Sequence, residues 1–435
     1  MASPVATDFN PSGPQLHPQR QQLNDEAHAR PSPALSAPAR ITSLTFWYRE
    51  DDSGQFEAIS RLAARLQLPP PTSGCVQYQG QTPALQLSWS LHSEFVRYHF
   101  VSNGAVDQPF SDHALRQVPA DWLASVPGLL LVAMHVALLP ADPEMEIRDW
   151  AARYFENNEL IGANIAGEEA LALTDLRLHH DAHWNFDFSR LLIIDHGMRS
   201  RTGGRMLSRL LEIESYRMLA LLALPLAKQQ MRALDKLGLK LNALTHKITA
   251  GHSPDVELLD QLSTMTAEQQ DLRSSSQYRC SAAHAYYRLI KQRIGELREN
   301  RRSGLQTFSE FVERRLAPAI ETCATVERRH GDLAERLSRC SALLRTRVEI
   351  AQAQESQALL ASMNRRVALQ LRLQQTVEGL SVGVLTYYVV ALISYGAKAL
   401  KDLGLPLNPD LCAGLSIPLI AAGAWFTVHQ VKRHF

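Results

Sequence analysis

Imidazole and carboxylate side chains crowd one short stretch of this chain, Leu178-His179-His180-Asp181-Ala182-His183, with Asp187 close behind. Neutral imidazole nitrogens and carboxylate oxygens are the donors that divalent metals take. His179, His180, Asp181 and His183 therefore form a candidate metal site, and a divalent metal is the one cofactor the sequence suggests. On a strand, however, alternate side chains face opposite sides, so His179 and His180 would diverge. His183 would then need a turn to rejoin either of them, and a polar strand end plus loop accounts for the same residues. A second polar group comprises Asn24, Asp25, Glu26, His28 and Arg30 within Asn24-Asp25-Glu26-Ala27-His28-Ala29-Arg30-Pro31. It reads either as a small polar site or as a short helix capped by Asn24 or Asp25 and ended by Pro31. No catalytic motif is legible elsewhere, so the chain is expected to be non-enzymatic, with a metal-dependent enzyme built on His179–His183 as one alternative.

The elements that must position these groups begin after a proline-rich segment, residues 1–38, which is expected to be disordered. Residues 40–197 read as an α+β cytosolic domain. Ile41 to Tyr48 is β-branched and aromatic, which predicts a strand, and Gly54 to Leu68 carries Phe56, Ile59, Leu62, Ala63 and Leu66 at helical spacing. Val76 to Tyr78, Ala84 to Leu91 and Phe95 to Val101 read as short strands. The continuous apolar run Leu129 to Leu139 suits a buried central strand. Asp142-Pro143 predicts a helix start, running through Phe155, and Leu160 to Leu178 with Leu191 to Asp195 supply the closing strands.

After Gly203-Gly204 the text is helical, and residues 204–376 read as a long antiparallel helical or coiled-coil stalk. Pro225 predicts a kink, and Ser253-Pro254-Asp255 a clean helix start. Arg302-Ser303-Gly304 marks a break. From Leu305 to Gly396 no stop is evident apart from a kink at Pro318. Leu333, Leu337, Cys340, Leu344, Val348 and Ala351 keep a spacing of three and four. Unbroken, that helix of about 92 residues would be roughly 140 Å long.

The last sixty residues decide where the chain works. Val377 to Tyr395 and Leu411 to Val428 are apolar runs close to the roughly 20 residues needed to cross a hydrocarbon core. They predict a C-terminal two-helix transmembrane hairpin, with helices at 377–396 and 411–430. Arg365, Arg366 and Arg372 precede the first run and Lys432 and Arg433 follow the second. Only Lys398 and Lys401 lie in the loop, against Asp402 and Asp410, and the bias places both termini in the cytosol of a bacterial inner membrane. Gly379, Gly383, Thr386, Val390 and Ser394 fall on one helical face, which suits close helix packing or the wall of a pore made by several copies.

The totals agree with a mostly soluble chain. It has 435 residues, 45 basic and 44 acidic, for a formal charge of +1, and its mean hydropathy is −0.17. A balance this even gives no footing for a nucleic-acid partner. Five cysteines without a CxxC pair fit small apolar fillers in a reducing compartment. The N-terminus lacks the apolar region of a secretory signal. The expected partners are a lipid bilayer, further copies of the chain and a cytosolic protein.

Four strings carry a resemblance along the whole chain: Leu23-Asn24-Asp25-Glu26 with His28-Ala29-Arg30-Pro31, Leu211-Glu212-Ile213-Glu214-Ser215-Tyr216-Arg217-Met218, Glu313-Arg314-Arg315-Leu316-Ala317-Pro318, and Leu373-Gln374-Gln375-Thr376-Val377-Glu378-Gly379-Leu380-Ser381. On these the chain resembles the bacterial domain-of-unknown-function family 3422, described as membrane-anchored proteins. That resemblance implies a membrane anchor and brings no activity with it. In architecture the chain is also similar to CorA-type divalent-cation channels, whose first span ends Tyr-Gly-Met-Asn where this chain has Tyr395-Gly396-Ala397-Lys398. Their acidic loop finds an echo in Asn408-Pro409-Asp410-Leu411. A lysine at that entrance would repel Mg²⁺. The expected function is therefore a homo-oligomeric, membrane-anchored scaffold or sensor, with a CorA-like oligomeric channel as the alternative.

Overall fold

The structure is a computed structural model that describes residues 17–20, 34–48, 53–104, 107–251, 254–402 and 408–434. An N-terminal α/β sheet domain is followed by long helices. The strands are β1 (Ala39–Trp47), β2 (Gln77–Gln81), β3 (Gln86–Leu91), β4 (Phe95–Asn103), β5 (Leu129–Pro140), β6 (Ile161–Ile165), β7 (Ala170–Thr174), β8 (Leu178–Asp181) and β9 (Phe186–Asp195). They form one nine-stranded sheet in the order β2-β3-β4-β1-β5-β9-β7-β6, with β8 paired to β9 off that path. Among the described strands every strand-to-strand pairing is antiparallel except β5 with β9, which runs parallel from Met134↔Ser189 to Pro140↔Asp195. The apolar run at Leu129–Leu139 is the central β5, flanked by β1 and β9. Being covered on both faces, it has no need of alternating polarity.

Within this domain the helices are α1 (Ser53–Arg65), α2 (Ala120–Ala124) and α3 (Ile147–Tyr154), with a 3-10 turn at Ala114–Gln117. Ile59, Leu62 and Ala63 of α1 pack with Leu44, Trp89, Tyr98, Phe100 and Trp122 in one core. Trp122 Nε1 donates to the Ala58 carbonyl at 2.8 Å, which satisfies the one polar atom of that indole. A second core joins Trp150, Tyr154 and Phe155 to Leu171, Leu173, Leu192 and Ile194. Fully burying each such side chain is worth about 1.5–3 kcal/mol. The helix expected to open at Asp142-Pro143 begins instead at Ile147. Glu146 and Asp149 form a reciprocal capping box there, whereas the Asp142 carboxylate accepts from Glu144 N at 3.0 Å and closes a turn.

The helical part comprises α4 (Ser200–Leu221), α5 (Ala223–Ala250), α6 (Asp255–Leu297), α7 (Phe308–Arg315), α8 (Ala317–Asp402) and α9 (Pro409–His434). Gly203 and Gly204 lie inside the first turns of α4, not before it. A Cβ on Gly203 would meet the Leu35 carbonyl oxygen at 2.7 Å, and Leu35 N donates to Ser200 O at 2.9 Å. That glycine answers a close backbone approach. In place of the kink expected at Pro225 the helix breaks at Leu222, and proline takes a place in the first turn of α5, where its missing N–H has no intrahelical partner to lose. Similarly, Leu316 separates α7 from α8, with Pro318 in the first turn of α8, so the expected run from Leu305 to Gly396 is two helices.

Two compact units divide the chain: residues 1–246 with 261–338, and residues 247–260 with 339–435. In the first unit, Arg329 pairs with Asp235 at 2.5 Å and Arg336 Nη2 donates to Asn242 at 2.6 Å, so α5 and α8 run the same way. Gln230–Ser275 at 3.0 Å and Lys240–Glu268 at 3.0 Å set α6 against α5. Leu234, Leu237 and Leu241 of α5, Leu262, Met265 and Gln269 of α6, and Val326, His330, Leu333 and Leu337 of α8 are buried. In the second unit Arg347 holds Asp255 at 3.3 Å and donates to the Ile248 carbonyl at 3.0 Å. Among the described residues one helix, within Phe308–Leu400, is long and apolar enough to cross a membrane; its 18-residue window has a mean hydropathy of 1.6 and is 0% buried. Asp410–Phe426 is apolar but shorter.

Candidate functional site

The β8–β9 hairpin sets out the histidine cluster in a fixed register: Leu178↔Ser189, His179↔Phe188, His180↔Asp187 and Asp181↔Phe186. His179 is buried, with Nε2 2.8 Å from Asp175 Oδ2 and Nδ1 3.2 Å from Glu156 Oε1. The hydrogen bond to Asp175 raises its pKa above the usual imidazole range, prevailing over burial. Asp175 is itself pushed up by burial, but its bonds from His179, the Arg177 amide and Asn158 bring it below the usual carboxylate value. His180 points out and lies 3.0 Å from Asp187. His183 is exposed, its ring edge-on to Trp184 at 5.1 Å. The structure thus turns His179 inward and His180 outward, as the alternation of a strand requires, and His183 lies past the strand in the turn.

Asp181 turns elsewhere. Its Oδ1 accepts from the backbone N–H groups of His183 at 2.8 Å and Trp184 at 3.1 Å, which pins the carboxylate at the hairpin turn. Its Oδ2 lies 2.9 Å from His113 Nε2 and 3.8 Å from His135 Nε2. His113 immediately precedes the 3-10 turn, and His135 sits mid-strand in β5. One ligand atom from each of His113, His135 and Asp181 falls within 4.8 Å of the others. The two imidazoles stack at 3.9 Å, and Phe188 stacks on the other side of His135 at 3.9 Å. Thr42 Oγ1 is 2.9 Å from His135 Nδ1.

Protonation follows from burial. His113 and His135 are only 1% and 3% exposed as side chains, and burial pushes both pKa values down; Asp181 resists this for His113 without overcoming it. Asp181 is raised by burial, but the two backbone amides and His113 prevail and hold it below its usual value. Near neutral pH the group is two neutral imidazoles and one carboxylate, the state in which all three can donate lone pairs. His135 carried a trace of this in the sequence, as the one polar side chain in the apolar run Leu129–Leu139. His113 carried none.

The remaining residues singled out from sequence are placed as follows. Asn24, Asp25, Glu26, His28 and Arg30 lie outside the described residues. On α8, Thr386, Val390 and Ser394 are half-buried while Gly379 and Gly383 are exposed, with nothing within 4 Å of a Cβ at either glycine.

Two features that sequence spacing did not group tie the sheet to its helices, and a third ties α4 to α6. Glu94, in the β3–β4 turn, accepts from Arg279 Nη2 at 2.7 Å and from the Tyr286 hydroxyl on α6. Arg97 lies over the rings of Phe95 and Tyr216 at 5.5 and 5.8 Å. Glu212 pairs with Arg293, and Glu296 with Arg209 at 2.7 Å. Glu212 and Tyr216 belong to one of the strings that carried the family resemblance, and here they face the sheet.

No curated protein matches the chain. A family profile matches residues 15–435, nearly the whole sequence, and on that match the chain belongs to the family described as "Protein of unknown function (DUF3422)".

Proposed function

We propose that this chain is a membrane-anchored, homo-oligomeric protein of the bacterial inner membrane that offers its α/β domain to a cytosolic partner or signal, as a scaffold or sensor. The observation that carries this reading is the bare apolar window of α8, of mean hydropathy 1.6 and 0% buried. Leu380, Leu385, Tyr387, Tyr388 and Leu392 are each more than half exposed. Left in water, every such side chain forgoes about 1.5–3 kcal/mol, so the segment favours lipid.

The apolar part of α9 extends this to a two-span hairpin. In the second unit small residues recur at helical spacing among the covered positions, Thr386, Ser394 and Ala397 on α8 and Ala413, Ser416 and Ala424 on α9, beside the larger Val382, Val389, Val390 and Ile420. Leu415, Leu419 and Phe426 lie outward. Small residues inward and large ones outward is the pattern of helix packing in lipid. Spacings of three and four along α5, α6 and α8 support a coiled-coil character for the stalk. The basic flanks support cytosolic termini.

Deleting residues 377–435 is expected to release the remainder from the membrane fraction, whereas the full chain needs detergent. A truncated protein still bound to membranes, or a full chain that is a soluble monomer without detergent, overturns the anchor. The CorA-like channel reading predicts cation flux through reconstituted liposomes. Helix packing predicts none, and it is favoured by Thr386 Oγ1, which donates to the Val382 carbonyl at 2.7 Å and so makes no demand on water.

A further inference from the structure

We propose that His113, His135 and Asp181 form a binding site for one divalent first-row transition metal ion, with Zn²⁺ as its simplest occupant. The site lies wholly within the sheet domain and is independent of the membrane anchor.

Geometry comes first. Metal–nitrogen and metal–oxygen bonds of about 2.0–2.2 Å place neighbouring donor atoms roughly 3–3.5 Å apart. The separations of Asp181 Oδ2 from His113 Nε2 and His135 Nε2, 2.9 and 3.8 Å, bracket that range. Three protein ligands, two imidazoles and a carboxylate, leave a further position open, as catalytic and exchangeable sites do. Asp181, 11% exposed, gives the ion a way in.

The second observation is independent of those distances. His135 Nε2 is buried and has no hydrogen-bond partner among the described residues, yet it faces the Asp181 carboxylate. A hydrogen bond cannot close 3.8 Å, so Nε2 is left either as an N–H with no acceptor or as a lone pair facing a carboxylate oxygen. A cation between nitrogen and oxygen satisfies both. The Nδ1–H of His135 is then free to donate to Thr42 Oγ1, 2.9 Å away, which fixes the ring and the tautomer as a supporting residue does for a metal-bound histidine.

The simpler alternative is a His113–Asp181 hydrogen bond alone, and it leaves His135 Nε2 without a role. His113 Nδ1 likewise has no partner among the described residues. Arg116 beside His113 opposes an ion here, and so does Arg190 beside His135. Arg190 Nη1 is held by the Tyr154 carbonyl at 2.9 Å, and its guanidinium lies over the Phe110 ring at 5.5 Å.

The test uses the full-length chain in detergent, freed of any affinity tag, stripped with a chelator and titrated with Zn²⁺ and with Co²⁺. Uptake of roughly one ion per chain is expected, with a Co²⁺ ligand-field band in the visible. His135→Gln and Asp181→Asn should abolish the band, His180→Gln should retain it, and Thr42→Val should weaken binding roughly 10–100-fold. Far-ultraviolet circular dichroism reports which variants fold. Should His135→Gln fail to fold, Asp181→Asn and Thr42→Val decide the matter. No stoichiometric uptake by the folded wild type overturns the proposal. So does a band that survives in folded Asp181→Asn, or one lost equally in His180→Gln.

Discussion

Replacing Glu94 by alanine tests the charged contact that holds the β3–β4 turn against α6. The side chains of Glu94 and Arg279 are 6% and 12% exposed and lie 2.7 Å apart, and the Tyr286 hydroxyl donates to the same carboxylate. The substitution leaves Arg279 charged and buried without its partner, and removing one member of such a pair costs about 3–5 kcal/mol. With a urea slope of roughly 3–5 kcal/mol per molar for a chain of this size, the unfolding midpoint should fall by about 1 M. The assay is urea denaturation of the full chain followed by fluorescence of the buried Trp89 and Trp122. The triple change Glu94→Leu, Arg279→Met, Tyr286→Phe removes the charges and the hydroxyl together, and it should cost less than the single change. Burial raises the Glu94 pKa, but the bonds from Arg279 and Tyr286 prevail and set it below 4.5. The pair's contribution is therefore present above about pH 4.5 and lost as pH falls through the lower folded value. The difference between wild type and Glu94→Ala should shrink in acid. A midpoint shift under about 0.2 M, or a triple variant no more stable than the single one, would refute this reasoning.

Two further outcomes are expected. The hydrogen bond to Asp175 raises His179 above 6.5, so its stabilisation is complete below about pH 6.5 and fades as pH rises through the folded value; His179→Gln should remove that slope from urea midpoints taken between about pH 5.5 and 8.5. Gly203→Ala forces a Cβ to within 2.7 Å of the Leu35 carbonyl oxygen and should cost about 1–3 kcal/mol, read as a lower thermal midpoint in differential scanning calorimetry.

Much of the sheet was legible because burial writes itself into residue type. The run Leu129–Leu139 announced a central strand, and Ile41–Tyr48 announced its neighbour β1. Helix ends were less legible where two start signals competed. Asp142-Pro143 looks like a cap, yet Glu146 and Asp149 satisfy each other's backbone groups and win. Gly203-Gly204 reads as a linker in sequence because nothing local reveals that the Leu35 carbonyl lies against it. The histidine group was only partly legible for a similar reason. Sequence spacing grouped His179, His180, Asp181 and His183 because they are neighbours along the chain, whereas the fold groups Asp181 with His113 and His135 because three separate elements meet there. A site assembled across elements leaves no local periodicity to read.

The lone parallel pairing, β5 with β9, bears on how the domain comes to fold. Strands β1 to β5 join through antiparallel neighbours, while β9 reaches β5 only after three further strands have been laid down. The chain between β5 and β9, residues 141–185, is shorter than that between β1 and β5, residues 48–128, so loop closure weighs more heavily on the β1–β5 pairing. We expect the local pairings of β2-β3-β4 and of β6 to β9 to form early, with β1 and β5 joining the two halves afterwards. Pulse-labelled amide exchange during refolding would then find β3 and β7 shielded before β1.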